Sequence, residues 1–244
     1  MAEKAGLCAT LVCALLVCGA QTATRVVDVT GRIELGDGAT NRKMANVSGA
    51  VVWLDPAQRA EVPTPAPAWP ADHLRLEQHN KSFDPSLLVV PVGSVVQFPN
   101  RDPFFHNVFS LFEGKRFDLG LYEAGTTRNV VFDRPGICYI FCNIHPEMSA
   151  VVIALETPYY GVSNPRGEIL IRSVPPGRYV MHVWYQSSLP ETLNGLTREV
   201  AISQSEPSLG VIRVAETTLL QTHKNKYGRD YDPSAPASPA YPRP

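Results

Sequence analysis

Short valine-rich runs bounded by Gly, Pro, Asn or Asp recur along the chain. RVVDVTGRIEL (Arg25–Leu35) and VSGAVVWLD (Val47–Asp55) come first. ICYIF (Ile137–Phe141) reads as a buried strand running into Cys142, and SAVVIALE (Ser149–Glu156) as a strand leaving Met148. YYGVSNPRGEILIRSVPPGRYVMHVWYQ (Tyr159–Gln186) alternates apolar and polar positions, and Asn164-Pro165-Arg166-Gly167 and Pro175-Pro176-Gly177 punctuate it as turns. No segment of useful length after residue 23 carries a helical period. The predicted fold class is all-β.

The two ends and one connector break this pattern. After Lys4, the apolar stretch Gly6–Ala20 falls short of the roughly 20 residues needed to cross a bilayer. With the small residues up to Ala23 it reads as a signal peptide over 1–23, which implies a periplasmic or secreted protein with no membrane span after cleavage. The alternative of a lipid anchor at Cys18 is disfavoured by the bulky Val17 before it. DPAQRAEVPTPAPAWPA (Asp55–Ala71) contains five prolines and reads as a stiff exposed linker. From Leu220 the chain lacks apolar periodicity, so 217–244 is expected to be a disordered tail. A formal net charge of −1 excludes the basic excess that nucleic-acid binding would need.

Chemistry concentrates in Cys142-Asn143-Ile144-His145-Pro146-Glu147-Met148, with a second imidazole available at His106. Two His nitrogens, one Cys sulfur and a weak axial Met are the donor set of a mononuclear blue-copper centre, in which soft sulfur favours copper over hard cations. A ligand loop tied between two strands is held rigidly, as a redox site requires. Of the five cysteines, Cys8, Cys13 and Cys18 leave with the signal, and Cys138 and Cys142 remain. Four residues apart on an extended strand, those two lie about 13 Å apart at about 3.3 Å per residue. A disulfide needs Cα atoms within about 7 Å, so both are expected to be free, with Cys138 a small buried side chain.

The stretch from Leu74 to Glu156 resembles a cupredoxin domain of the plastocyanin and amicyanin group. The likeness rests on LVVPVGSVVQFPNRDPFFHNVFS (Leu88–Ser110), on DRPGICYIFCNIHPEM (Asp133–Met148) and on the order His, Cys, His, Met. The two residues between His145 and Met148 match the short loop of amicyanins. The resemblance implies a Greek-key β-sandwich holding one type 1 copper, with His106, Cys142 and His145 as equatorial ligands and Met148 as the axial one. It also implies that Asn107 ties the two ligand loops together by hydrogen bonds. Cys138-x3-Cys142 followed by His and Met is also similar to the dinuclear CuA site, whose family has three residues between the second Cys and the His where this chain has Asn143 and Ile144.

The later block resembles the carboxypeptidase regulatory-like (transthyretin- or CnaB-like) sandwich family. The matching residues are Gly167–Ile171, Pro175–Val180 and Val47-Ser48-Gly49-Ala50-Val51. Residues 24–71 and 157–216 would then build one sandwich with the copper domain, 72–156, inserted between them, or two β units packed side by side.

The expected function is outer-sphere electron transfer to a redox partner protein, with a link to amine oxidation implied by the amicyanin likeness. Four donors leave no open metal position for a substrate, so no enzyme activity is expected. His145 should be the most exposed ligand and the electron exit, with Phe104, Phe105 and Pro146 around it as a docking patch. The alternatives are a periplasmic copper-handling protein, or a sandwich interaction module with a structural or vestigial copper site. His73, His79 and His182 read as ordinary strand or strand-edge residues and His223 as part of the tail. Asp102, Asp133 and Glu147 read as turn formers.

Overall fold

In a computed structural model of the chain, residues 25–36, 47–58, 74–111, 114–217 and 223–231 are described. The expected signal peptide, most of the proline-rich linker and His73 lie outside the described residues. The chain is an all-β protein of the β-sandwich class. Its strands before residue 74 are β1 (Val27–Leu35) and β2 (Val51–Pro56). Next come β3 (Glu77–His79), β4 (Ser82–Asp84), β5 (Leu87–Pro91), β6 (Ser94–Pro99), β7 (Val108–Ser110), β8 (Phe117–Asp118), β9 (Thr127–Phe132), β10 (Gly136–Cys142) and β11 (Ser149–Leu155). The last part has β12 (Tyr160–Val162), β13 (Glu168–Val174), β14 (Gly177–Trp184), the short helix α1 (Pro190–Asn194), β15 (Arg198–Ile202) and β16 (Ser208–Val214). No helix among the described residues is long and apolar enough to cross a membrane.

Strands from the two ends of the chain pair with each other. β1 runs antiparallel to β13 and parallel to β16, and the four-stranded sheet has the order β12-β2-β14-β15. The Asn164–Gly167 turn fixes this junction: the Gly167 N–H donates to the Asn164 carbonyl at 2.8 Å, and the Ile33 N–H donates to the Gly167 carbonyl at 2.7 Å. Gly167 has φ +78°, and a Cβ there would collide with the Ile33 carbonyl oxygen, so glycine is required on two counts.

Between these flanks stands a five-stranded sheet of order β5-β11-β10-β7-β8. It separates two apolar cores, and β11 contributes to both. Ala150, Val152 and Ala154 belong to the core that holds Cys142 and Met148, with Phe98 and Phe132 from the β6–β9 pair. Val151, Ile153 and Leu155 belong to the second core, with residues of β1, β2, β13, β14 and β16. A strand covered on both faces needs apolar side chains at consecutive positions, which is why SAVVIALE is continuous rather than alternating. Fully burying each of its larger aliphatic side chains contributes about 1.5–3 kcal/mol. This double cover holds β10, and therefore Cys142 at its end, in a rigid frame.

A candidate metal centre

Register brings the ligand segments together. In β10, Cys138, Ile140 and Cys142 alternate into one buried face. Cys142 stands opposite Val108 of β7, so His106, two residues earlier, reaches the same end of the sheet. The His106 backbone is clamped to Tyr122 by reciprocal bonds, His106 N–H to Tyr122 O at 3.1 Å and Tyr122 N–H to His106 O at 3.0 Å. After Cys142 the chain turns back tightly. The Met148 N–H donates to the His145 carbonyl at 3.1 Å and the Cys142 N–H to the Met148 carbonyl at 3.3 Å. This closure carries His145 over Cys142 before β11 begins.

The donor atoms of His106, Cys142 and His145 all lie within 4.8 Å of one another. His106 Nδ1 is 3.6 Å and His145 Nδ1 3.5 Å from Cys142 Sγ. Bonds of about 2.3 Å to sulfur and about 2.0–2.1 Å to nitrogen put such atoms about 3.5–3.8 Å apart when they share one ion at about 110–120°. Both sulfur–nitrogen separations therefore suit donors that share one metal ion. Met148 is fully buried in the same apolar core as Cys142. His106 and Cys142 are also fully buried, whereas His145 is partly exposed and is the most accessible of the four. Cys138 lies apart from this cluster. It is a free, buried thiol beside Gly114, and burial pushes it up to about 11.

Burial and hydrogen bonds act together on the protonation of the donors. Burial raises the Cys142 thiol, while the backbone N–H groups of Asn107, Ile144 and His145 directed at its sulfur favour the thiolate. Burial lowers the His106 imidazole, and Asp102 opposes that shift. Burial, reinforced by the neighbouring His106, lowers His145 to about 4, so at neutral pH the ring is unprotonated and free to donate a lone pair. The Asn107 carbonyl accepts the Asn143 N–H at 2.9 Å, tying the two ligand loops together. Its side chain points elsewhere, with Nδ2 donating to Asp118 Oδ1 at 2.6 Å and to the Gly120 carbonyl at 3.0 Å. The Phe104 ring packs against both imidazoles, with centroids 5.3 Å from His106 and 5.4 Å from His145.

Two parts of this site depart from the sequence expectation. Asp102 is a turn former, accepting the N–H groups of Asn80 (2.6 Å) and Lys81 (3.1 Å), both at positive φ. It is also the partner of His106, with Oδ2 2.9 Å from Nε2. The signal was present in the sequence, since a carboxylate four residues before a candidate ligand His can reach back to its distal nitrogen. The second departure is residues 223–231, expected to be part of a disordered tail. They lie instead against the ligand loop, where His223 stacks on Phe141 with centroids 4.2 Å apart. The reason is that Asn, Gly and Tyr in this segment supply a turn and aromatic contacts that apolar periodicity does not register. His79 is exposed at the end of β3, as expected of a strand-edge residue, and Asp133 and Glu147 are exposed, Asp133 paired with Lys115 at 2.9 Å. His182 stacks on Trp53 and pairs with Asp55 at 3.2 Å.

No protein-family model and no curated protein matches the sequence. Among solved structures, the chain is similar to a Cu-containing nitrite reductase from Thermus scotoductus SA-01, with 25% identity over 39% of this chain and 25% of that one, at a TM-score of 0.33. It is similar to a purple cupredoxin from Nitrosopumilus maritimus, with 24% identity over 33% of this chain and 98% of that one, at a TM-score of 0.30. An amicyanin mutant in its Cu(I) form is 20% identical over 33% of this chain and 80% of that one, at a TM-score of 0.31. The chain thus spans a quarter of the nitrite reductase. None of these likenesses bears on the regulatory-like resemblance of the flanking strands.

Proposed function

We propose that the chain is an exported type 1 copper protein that carries single electrons to and from a protein partner in the periplasm or an equivalent space. One observation carries this reading: the convergence of His106 Nδ1, Cys142 Sγ and His145 Nδ1 in a buried site closed by the Met148 turn. A His2Cys set with a thioether beside it suits copper, because soft sulfur excludes hard cations and the arrangement suits both oxidation states. Bound copper would supply a one-electron couple. The residues of the chain do the rest. His106 and Cys142 are held in a dry, hydrogen-bonded frame, so little atomic movement accompanies electron gain or loss. His145, half-buried beside Phe104 and Pro146, is the ligand edge that a partner can approach. Electron-transfer encounters bury small areas, and a small apolar rim around one imidazole meets that need.

Four donors from the chain would fill the coordination sphere, which favours a carrier over an enzyme with a substrate position at the metal. Protein-film voltammetry of the copper-loaded chain tests this. A fast, reversible one-electron couple supports the carrier. Sluggish electron exchange together with transfer of copper to an acceptor chelate or protein supports copper handling instead.

A further inference from the structure

Beyond the four metal donors, a C-terminal loop grips the back of the ligand segment at three consecutive residues. His223 stacks on Phe141, with centroids 4.2 Å apart and planes inclined by 24°. The Tyr231 hydroxyl donates to the Cys142 carbonyl at 2.7 Å. The Lys226 N–H donates to Asn143 Oδ1 at 2.9 Å, and its ammonium reaches Asp118 Oδ2 at 2.8 Å. Asp118 is the carboxylate that holds the Asn107 side chain, so the loop touches the Cys142 segment directly and reaches the His106 segment through Asp118.

The loop is built to present these groups together. Asn225 Oδ1 accepts the N–H groups of Tyr227 (3.0 Å) and Arg229 (3.1 Å), and the Asn225 N–H donates to the Arg229 carbonyl at 2.9 Å. Gly228, at φ +73°, supplies the left-handed residue this reversal requires. His223 and Tyr231, eight residues apart, thereby meet edge to face at 5.2 Å, with the Tyr231 oxygen 3.2 Å from His223 Nδ1. The single Tyr231 proton goes to the Cys142 carbonyl, so its oxygen accepts from His223 Nδ1–H, which the Lys224 carbonyl shares at 3.3 Å. This ordered pair locks the peptide plane joining Cys142 to Asn143. The N–H of that plane is the one bonded to Asn107 O.

We propose that residues 223–231 form an integral latch of the site and that Tyr231 is a positioning residue, holding the Cys142 main chain so that the thiolate keeps its place between the two imidazoles. Its role as a metal-centre device rests on the copper reading above. Its effect on Cys142 does not.

The test is Tyr231→Phe in the full chain, which removes one hydroxyl and keeps the ring. In the metal-free protein, the Asn143 amide should exchange with deuterium about two- to thirteenfold faster, the range given by losing one hydrogen bond of about 0.5–1.5 kcal/mol. The Ile33 amide, bonded to Gly167 O in the junction that the latch does not touch, should be unchanged. Unaltered exchange at Asn143, or equal acceleration at Ile33, would overturn the proposal. In the copper-loaded protein the same variant should shift the reduction potential and the copper hyperfine splitting. Copper binding with both unmoved would likewise contradict it. If the wild-type chain takes up no copper while Tyr231→Phe still loosens Asn143, the copper reading fails and the latch stands.

Discussion

Asp102 Oδ2 lies 2.9 Å from His106 Nε2, and both side chains are buried. The carboxylate also accepts two backbone N–H groups, from Asn80 and Lys81. Burial alone would raise its pKa, but the Lys81 N–H, His106 and the Asn80 N–H outweigh that and hold it below the usual carboxylate range. A permanent anion at this position keeps the proton of His106 on Nε2 and leaves Nδ1 as the lone pair facing Cys142.

Replacing Asp102 by Asn should therefore weaken metal binding without removing any donor. An amide at this position offers N–H to a nitrogen that itself carries a proton, or turns the imidazole to the tautomer that blocks Nδ1. Loss of such an outer partner costs about 10–100-fold in metal affinity. Competition against a Cu(I) chelator measures it, and an unchanged affinity would show that Asp102 serves only the Asn80–Lys81 turn.

The two free cysteines should behave in opposite ways. Cys142→Ser should abolish the intense visible thiolate band. Cys138→Ser should leave band and hyperfine pattern intact, because Cys138 stands beside Gly114 and outside the donor cluster. A changed copper stoichiometry in Cys138→Ser would revive a dinuclear site.

Acid should destabilise the metal-free protein over a defined window. His145 is held at about 4 by burial and by His106, against 6.5 for an unperturbed imidazole. Between those values the unfolded chain binds a proton that the folded chain refuses, so stability falls as the pH drops from about 6.5 to about 4 and levels off below. Urea midpoints measured across this range should show the decline, and His145→Asn should make it shallower. An identical slope in the variant would contradict the assignment.

At the junction of the chain ends, Gly167→Ala should cost more than about 1 kcal/mol, since a positive φ is lost and the Cβ meets the Ile33 carbonyl. Chemical denaturation measures this. A neutral substitution would mean that the turn is looser than its hydrogen bonds indicate.

Much of this arrangement was legible in the sequence because the informative signals are local. The Cys142–Met148 spacing, the apolar runs around it and the Asn164–Gly167 turn each sit within a few residues, and the strands form where those runs lie. The remaining contacts depend on how the backbone folds, over a short span or a long one. Asp102 reads as a turn residue until His106 is seen to fold back on it. Tyr231 lies 89 positions from Cys142, and nothing near either residue announces their bond. The shared role of β11 in two cores was likewise visible only as an apolar run without alternation.

In the proposed centre His106, Cys142, His145 and Met148 hold one copper ion through a thiolate. Copper titration of the purified chain, followed by visible absorption and electron paramagnetic resonance, is the decisive measurement. The expected result is saturation at one copper per chain, an intense thiolate-to-copper band and hyperfine structure from a single nucleus. A folded protein that shows no thiolate band with copper in excess would contradict it.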